Sequence, residues 1–345
     1  MLLCAYVFGH YDALTDEDAK KLDLINIAFG LIRDGRLHVP ESVASPVWDR
    51  LRAANPSLRI LLSIGGWGAG GFSTMAKAPA SRAVFIESCM RAVDEYALDG
   101  LDLDWEYPTI DSAGIDADPC DRENFTYLLT ELRHALDTRY PEKHKMLTIA
   151  AGGGEYYINA VEIPKIVPVL DYVSLMTYDL AGTWTPAIHH TALYSTAVQP
   201  NSVDANVQHF MAAGVPAEKL VIGAAFYSRR WLHIPDGSTH GLGQSATVSD
   251  PNSGSFGPGF GTLSGMRNRN GYTVYRDKTA HAPYLYNRET GEWISYDDPE
   301  SVADKVRYAR EHGLSGVMYW EHSCDPTRAA RRHVHSKGRV IRWRR

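Results

Sequence analysis

The chain has 345 residues, 44% of them hydrophobic, and a formal net charge of −6. That length exceeds one small domain and suits a closed barrel of about 250 residues carrying an addition. The mild negative charge argues against nucleic acid as the main partner, and no run of about 18 apolar residues exists, so no membrane span is expected.

The first residues, Met1 to Gly9, pass directly into strand-like sequence and lack the basic start and small-residue cleavage site of a secretory signal. A cytoplasmic protein is expected as the chain stands, or a secreted one if a leader has been removed. Strands are predicted at 3–8, 24–29, 60–64, 100–105, 146–151, 172–178, 220–226 and 316–320. Most are rich in Val, Ile and Leu with little alternation, the pattern of parallel strands covered on both faces.

Helical signals lie between them. Thr15-Asp-Glu-Asp18 has the spacing of a capping box. Ile86, Met90, Val93 and Ala97 follow helical spacing, as do Phe125, Leu128, Leu129, Leu132 and Leu136. Asp298-Pro299 supplies an N-cap and a proline at the first helical position, and Gly313 ends that helix. Eight strand–helix alternations predict a closed parallel barrel.

One interval breaks the rhythm. From about 231 to 291 the chain is rich in Gly, Tyr, Ser and Asn, with short runs such as Gly271-Tyr-Thr-Val-Tyr275 and Ala282-Pro-Tyr-Leu-Tyr286. A structureless loop of that length is uncommon, so a small β-rich insertion after the seventh strand is predicted. The tail after Asp325 has no acidic residue and many Arg, and reads as a closing helix with a solvated basic end. Cys4, Cys89, Cys120 and Cys324 are scattered and are expected to be buried free thiols.

The chemistry concentrates at residues 99 to 106, Asp-Gly-Leu-Asp-Leu-Asp-Trp-Glu. On a strand, Gly100, Asp102, Asp104 and Glu106 share one face, and Leu101, Leu103 and Trp105 the other. Flanking helices would cover the Leu row, so the acidic row must line an interior or cleft. Three carboxylates at alternate positions raise one another's pKa, so at least one should hold a proton near neutrality, as a general acid requires. Other strand ends bear matching groups: Ser63-Ile-Gly-Gly-Trp67, Met176-Thr-Tyr178-Asp179, Phe226-Tyr227-Ser228-Arg229 and Met318-Tyr-Trp320-Glu321. Aromatic rings and carboxylates around one barrel mouth suit a carbohydrate, whose apolar faces stack on rings.

These motifs, in this order, resemble the family-18 glycoside hydrolases, the chitinase family. The likeness covers about residues 3 to 325. It implies an eight-stranded parallel (β/α)8 TIM-type barrel with a small α+β insertion between strand 7 and helix 7. The barrel would take 1–230 and 292–327, the insertion 231–291 and the basic tail 328–345. It further implies Glu106 as general acid and then base. Asp104 would orient the substrate acetamido group, with Asp102 beneath it sharing a proton. Tyr178 would hydrogen-bond the acetamide, and Asp179 and Arg229 would contact sugar hydroxyls or the acetamide. Trp320 would form the floor, and Tyr6, Phe29, Trp67, Met176 and Tyr227 the rest of the pocket. The implied reaction is substrate-assisted hydrolysis with retention, acting on chitin or N-acetylglucosamine oligosaccharides, with no metal and no cofactor.

Two positions depart from the family pattern. Ala181 stands where many relatives carry His, and Ser228 where they often carry Gly. His189-His190 lacks metal-ligand spacing and is expected to have a surface or hydrogen-bonding role. The alternative activities are an endo-β-N-acetylglucosaminidase and a cell-wall glycan hydrolase. A sugar-binding lectin ranks below them because Asp102, Asp104 and Glu106 are all present. The oligomeric state is not legible in the sequence.

Overall fold

Alternation along residues 100–106 decides how the chain is laid down. In the computed structural model, which describes residues 1–326, Gly100–Asp104 is a strand buried on both faces. Leu101, Leu103 and Trp105 join the large outer core under the helices. Trp105 stacks on Phe72 at 5.0 Å and meets the edge of Phe125 at 5.4 Å. A slip of one residue would drive three carboxylates into that apolar layer, so the register is strongly specified.

Eight parallel strands form the barrel: Leu2–Phe8, Leu24–Arg33, Arg59–Gly65, Gly100–Asp104, Met146–Gly152, Tyr172–Met176, Leu220–Ala225 and Gly316–Trp320. The first pairs with both the second and the eighth, which closes the sheet. All eight strands match those expected. The ends shift in an informative way. The sixth strand stops at Met176 because Thr177 N turns back to Leu175 O and Asp179 takes a left-handed φ of 53°. Tyr178 thus stands beyond the ladder, buried against the residues that line the lumen. The second strand runs on to Arg33 and pairs with the short antiparallel strand Arg36–His38.

The helices follow their signals. Thr15 and Asp18 form the reciprocal cap, and Asp298 caps Pro299–Glu311 with Ser301 completing the box. Helix Pro79–Glu95 buries Phe85, Ile86, Cys89, Met90 and Val93. Ala97 does not continue that stripe. It is exposed at φ 50° beyond the helix end, and Leu98 takes the buried place instead. Helix Asp121–Arg139 buries all five of the residues expected of it.

The interval after the seventh strand folds as a five-stranded antiparallel sheet with one helix, Phe260–Met266. Its strands, in spatial order, are Ser255–Phe256, Ser228–Trp231, Glu292–Tyr296, Ala282–Asn287 and Tyr272–Asp277. The sheet is wider than residues 231–291, because the segments leading in and out of the interval become two of its inner strands. Tyr275, Tyr284 and Trp293 stack in a row at 5.3 and 5.2 Å. Trp231, Ile234, Tyr286, Ala181, Ala187 and Ile188 complete this core.

Of the cysteines, Cys4 and Cys89 are buried, Cys324 is half-buried and Cys120 is exposed next to the start of helix Asp121–Arg139; all four are free. Among the described residues no helix is long and apolar enough to cross a membrane. The basic stretch 328–345 lies outside the described residues.

Candidate active site

The acidic face of the fourth strand points into the barrel, where a separate cluster of Cys4, Tyr6, Met176, Tyr178, Tyr227 and Met318 lines the lumen. Ladder register places Ser63 and Thr148 directly beside Asp102. Their hydroxyls donate to it at 2.7 and 2.6 Å, and Tyr6 adds a third bond at 2.9 Å. Burial lifts the Asp102 carboxyl above its usual range, and the three donors pull the other way. Two residues further on, Asp104 is buried and, among the described residues, no donor reaches its Oδ1. Burial, then Glu106, then Asp102 raise its carboxyl well above the ordinary value. A proton held on this stack would relieve both the repulsion and the orphaned oxygen.

Glu106 comes next on the same face, half-buried at the mouth. Burial and the charge of Asp179 push its carboxyl up to about 7, against a hydrogen bond from Tyr107. That value suits a group that both gives and takes a proton near neutrality.

Asp179 behaves oppositely. Burial raises it, but His190 and Arg229 outweigh burial and hold it at about 2. Arg229 Nε donates to Asp179 Oδ1 at 2.5 Å, and His190 Nδ1 lies 3.5 Å from the same oxygen. Two carboxyl groups at one mouth are thus driven apart, one kept as an acid and the other as a fixed anion.

Glycines make the room. Gly66 has φ 95°, and a Cβ there would lie 2.7 Å from the Phe29 ring. Gly223 faces Tyr178, and a Cβ on it would meet that ring at 2.7 Å. Burial, then Asp104 and Glu106, raise the Tyr178 phenol far enough that it stays a donor. Its ring meets Tyr227 edge-on at 5.9 Å.

The Trp320 ring stacks on Phe29 at 5.4 Å and lies tilted against Tyr6 at 5.9 Å. The peptide bonds Ala28–Phe29, Glu106–Tyr107 and Trp320–Glu321 are cis, the first at the ladder irregularity within the second strand and the other two just past or at the ends of the fourth and eighth strands. Trp67 is 64% exposed, and its ring meets the edge of Tyr107 at 6.3 Å. It stands on the rim outside the inner pocket of Tyr6, Met176, Tyr178 and Tyr227.

His189 and His190 are both fully buried, which corrects the surface reading of this pair. His189 packs against the stacked pair Tyr284 and Trp293, and His190 packs on Tyr227 at 5.3 Å. The insertion sheet covers them, which the pair's own sequence could not announce. Among the described residues no three His, Cys, Asp or Glu side chains gather as a metal site.

Sequence reasoning missed several members. Thr148 and Ser63 needed the register. Tyr107 and Tyr156, 5.3 Å apart, extend the aromatic rim, and Tyr156 carried a signal in following Gly152-Gly-Gly154 at a strand end. Trp184 comes from a loop and Phe256 from the short edge strand Ser255–Phe256.

Comparison with known proteins agrees with this geometry. Residues 5–325 match the family described as Glycosyl hydrolases family 18. Chitinase A1 of Niallia circulans is 37% identical over 341 residues, covering 89% of this chain and 48% of that protein. Chitinase B of Serratia marcescens is 33% identical over 78% of this chain and 65% of its own length. The chain thus spans about half to two thirds of these curated relatives. Among solved structures, a family-18 N-acetylglucosaminidase from Paenibacillus barengoltzii superposes with a TM-score of 0.92 at 45% identity, covering 97% of this chain and 98% of that one. A class V chitinase variant of Nicotiana tobaccum in complex with NAG4 gives 0.85 at 27% identity, covering 98% of this chain and 99% of its own. With the acidic strand, the Trp320 aromatic cluster and the insertion all in place, the chain belongs to glycosyl hydrolase family 18.

Proposed function

We propose that this protein hydrolyses β-1,4 linkages between N-acetylglucosamine units of chitin or its oligomers, with retention of anomeric configuration. The observation that carries the reading is Glu106, half-buried at the mouth with its carboxyl lifted to about 7, two residues along the same face from the buried Asp104. In the first step Glu106 gives its proton to the glycosidic oxygen as the C1–O bond breaks. The carbonyl oxygen of the substrate's own 2-acetamido group attacks C1, forming a cyclic oxazolinium ion. Asp104 faces the positive charge that develops on the ring nitrogen, and the Tyr178 hydroxyl steadies the acetamide. Glu106, now a carboxylate, takes a proton from water as that water attacks C1 and reopens the ring. The nucleophile belongs to the substrate, so a sugar without the acetamido group should not react.

Incubation with N-acetylglucosamine oligomers of two to six units, followed by mass spectrometry and by NMR of the first-formed anomer, tests this. Cleavage with β-anomer product and no action on cello-oligosaccharides is expected. An α-anomer product, or cleavage of unsubstituted glucans, would refute it.

A second reading, release of single N-acetylglucosamine units, is favoured by the 45% identity to the Paenibacillus N-acetylglucosaminidase across nearly all of both chains. The same product analysis separates the two: monomer alone from the earliest time points supports exo-action, and a spread of dimers and trimers supports a chitinase.

A further inference from the structure

Helix Pro299–Glu311 sends Lys305 into the interior. Its ammonium is fully buried and reaches two partners, Thr191 Oγ1 at 2.5 Å and Asp297 Oδ2 at 2.5 Å. A buried cation is costly even when paired, so what the pair holds in place matters. Asp297 Oδ2 also accepts from Ala225 N at 2.9 Å, and its Oδ1 accepts from Ser301 Oγ at 2.7 Å. Ala225 ends the seventh barrel strand, two residues before Tyr227.

Thr191 serves the end of the sixth strand. Its hydroxyl lies 3.0 Å from Thr177 O and 3.4 Å from Asp297 Oδ2. A hydroxyl has one proton to give, and the ammonium occupies its acceptor side. Lys305 thus turns the Thr191 proton towards Thr177 O, the nearer acceptor. Thr177 is held at its other polar groups as well. Its N donates to Leu175 O at 2.8 Å, and its Oγ1 donates to Gly223 O at 3.0 Å and accepts from Gly223 N at 2.8 Å. Tyr178 follows directly and lays its ring over the same Gly223. Asp179 comes next, and His190, the neighbour of Thr191, lies 3.5 Å from its carboxylate. The backbone N–H of His190 donates in turn to Ser295 Oγ at 2.9 Å. The turn that presents Tyr178 and Asp179 therefore hangs from Ser295 and Asp297, at the end of strand Glu292–Tyr296, and from Lys305 of the helix.

We propose that Thr191, oriented by Lys305, is a positioning residue for the reaction: it holds the turn at Thr177 so that the Tyr178 hydroxyl meets the substrate's acetamido group in the alignment that ring closure needs. The proposal rests on the activity proposed above. The acetamido oxygen must approach C1 along one line, and a displacement of about 1 Å can cost on the order of a hundredfold in rate even when its cause lies far from the chemistry. The loss falls on kcat, because the unreacted oligomer does not need that alignment in order to bind.

The test is a double-mutant cycle of Thr191→Val and Tyr178→Phe. It is read as kcat on the N-acetylglucosamine tetramer and as affinity for chitobiose thiazoline, a stable mimic of the cyclised intermediate. In the wild-type background Thr191→Val should lower both by about tenfold with KM little changed. Thr191→Ser, which keeps the hydroxyl, should restore most of both. In the Tyr178→Phe background the same change should cost less than about twofold, because the hydroxyl it positions is gone. Thiazoline binding keeps the cycle readable where Tyr178→Phe turns over too slowly. Thr191→Ala, which leaves room beside the ammonium, replaces Thr191→Val if the buried methyl blocks folding. Equal factors in the two backgrounds, or no recovery with Ser, would mean that Thr191 only stabilises the fold, and the role is overturned while the activity stands. A wild type that cleaves no oligomer overturns the activity and this role together.

Discussion

Replacing Glu106 by Gln should do two things at once, and the second is the more diagnostic. Shape is kept and the transferable proton is lost, so turnover should fall by at least about a thousandfold while binding of oligomers persists. The stability effect follows from the lifted carboxyl. Its ordinary value is 4.5, and burial with the charge of Asp179 carries it to about 7. Below pH 4.5 the group is protonated in both folded and unfolded chains, and contributes no difference. As pH rises from 4.5 to 7 the unfolded chain gives up the proton while the folded one retains it, so stability is lost across that window.

Each pH unit in the window is worth about 1.4 kcal/mol, and residual solvent contact trims the total to roughly 2–3 kcal/mol. The Gln variant has no such loss. Urea denaturation at pH 4 should give the two proteins similar midpoints, and at pH 8.5 the variant should be the more stable by about 2–3 kcal/mol. Equal stability at both pH values would mean that the Glu106 carboxyl is not held up, and the general-acid assignment would lose its physical basis.

Other perturbations test neighbouring contacts. Asp179 is ionised throughout the working range and raises Glu106. Asp179→Asn should therefore let Glu106 release its proton earlier, moving the alkaline limb of the kcat/KM profile to lower pH; a limb that stays put or moves up would contradict the coupling. Gly66→Ala places a Cβ 2.7 Å from the Phe29 ring at a φ of 95°. A cost of about 1–2 kcal/mol in stability is expected, with a raised KM as Phe29 shifts on Trp320, read by thermal melts and steady-state kinetics. Lys305 and Asp297 form a buried pair at 2.5 Å behind the sixth and seventh strand ends. Lys305→Met should cost about 3–5 kcal/mol by leaving a buried carboxylate without its counter-charge, held only by Ala225 N, Thr191 and Ser301, and adding Asp297→Asn should recover part of it in the same urea assay.

Much of the architecture was legible because its signals are local. Val, Ile and Leu runs marked all eight barrel strands, and Asp298-Pro299 with Gly313 bounded a helix to the residue. The strand ends were less legible. Met176 ends the sixth strand before Tyr178, because Thr177 turns back on Leu175, and no composition signal reports that turn. Ala97 kept helical spacing yet fell outside its helix, since a period says which face a residue would occupy and not where the helix stops.

The alternation of Asp102, Asp104 and Glu106 was written in the sequence, for side-chain direction along a strand depends on neighbours in the chain alone. What lies beside those carboxylates was not. Ser63 and Thr148 reach Asp102 only through the register of three strands, His190 reaches Asp179 only because the insertion sheet closes over it, and Phe256 meets Arg229 only across a ladder. Such contacts join residues from 11 to 46 positions apart, and tertiary packing decides them. Local periodicity therefore settled which groups carry the chemistry, and tertiary structure settled which of them stay charged.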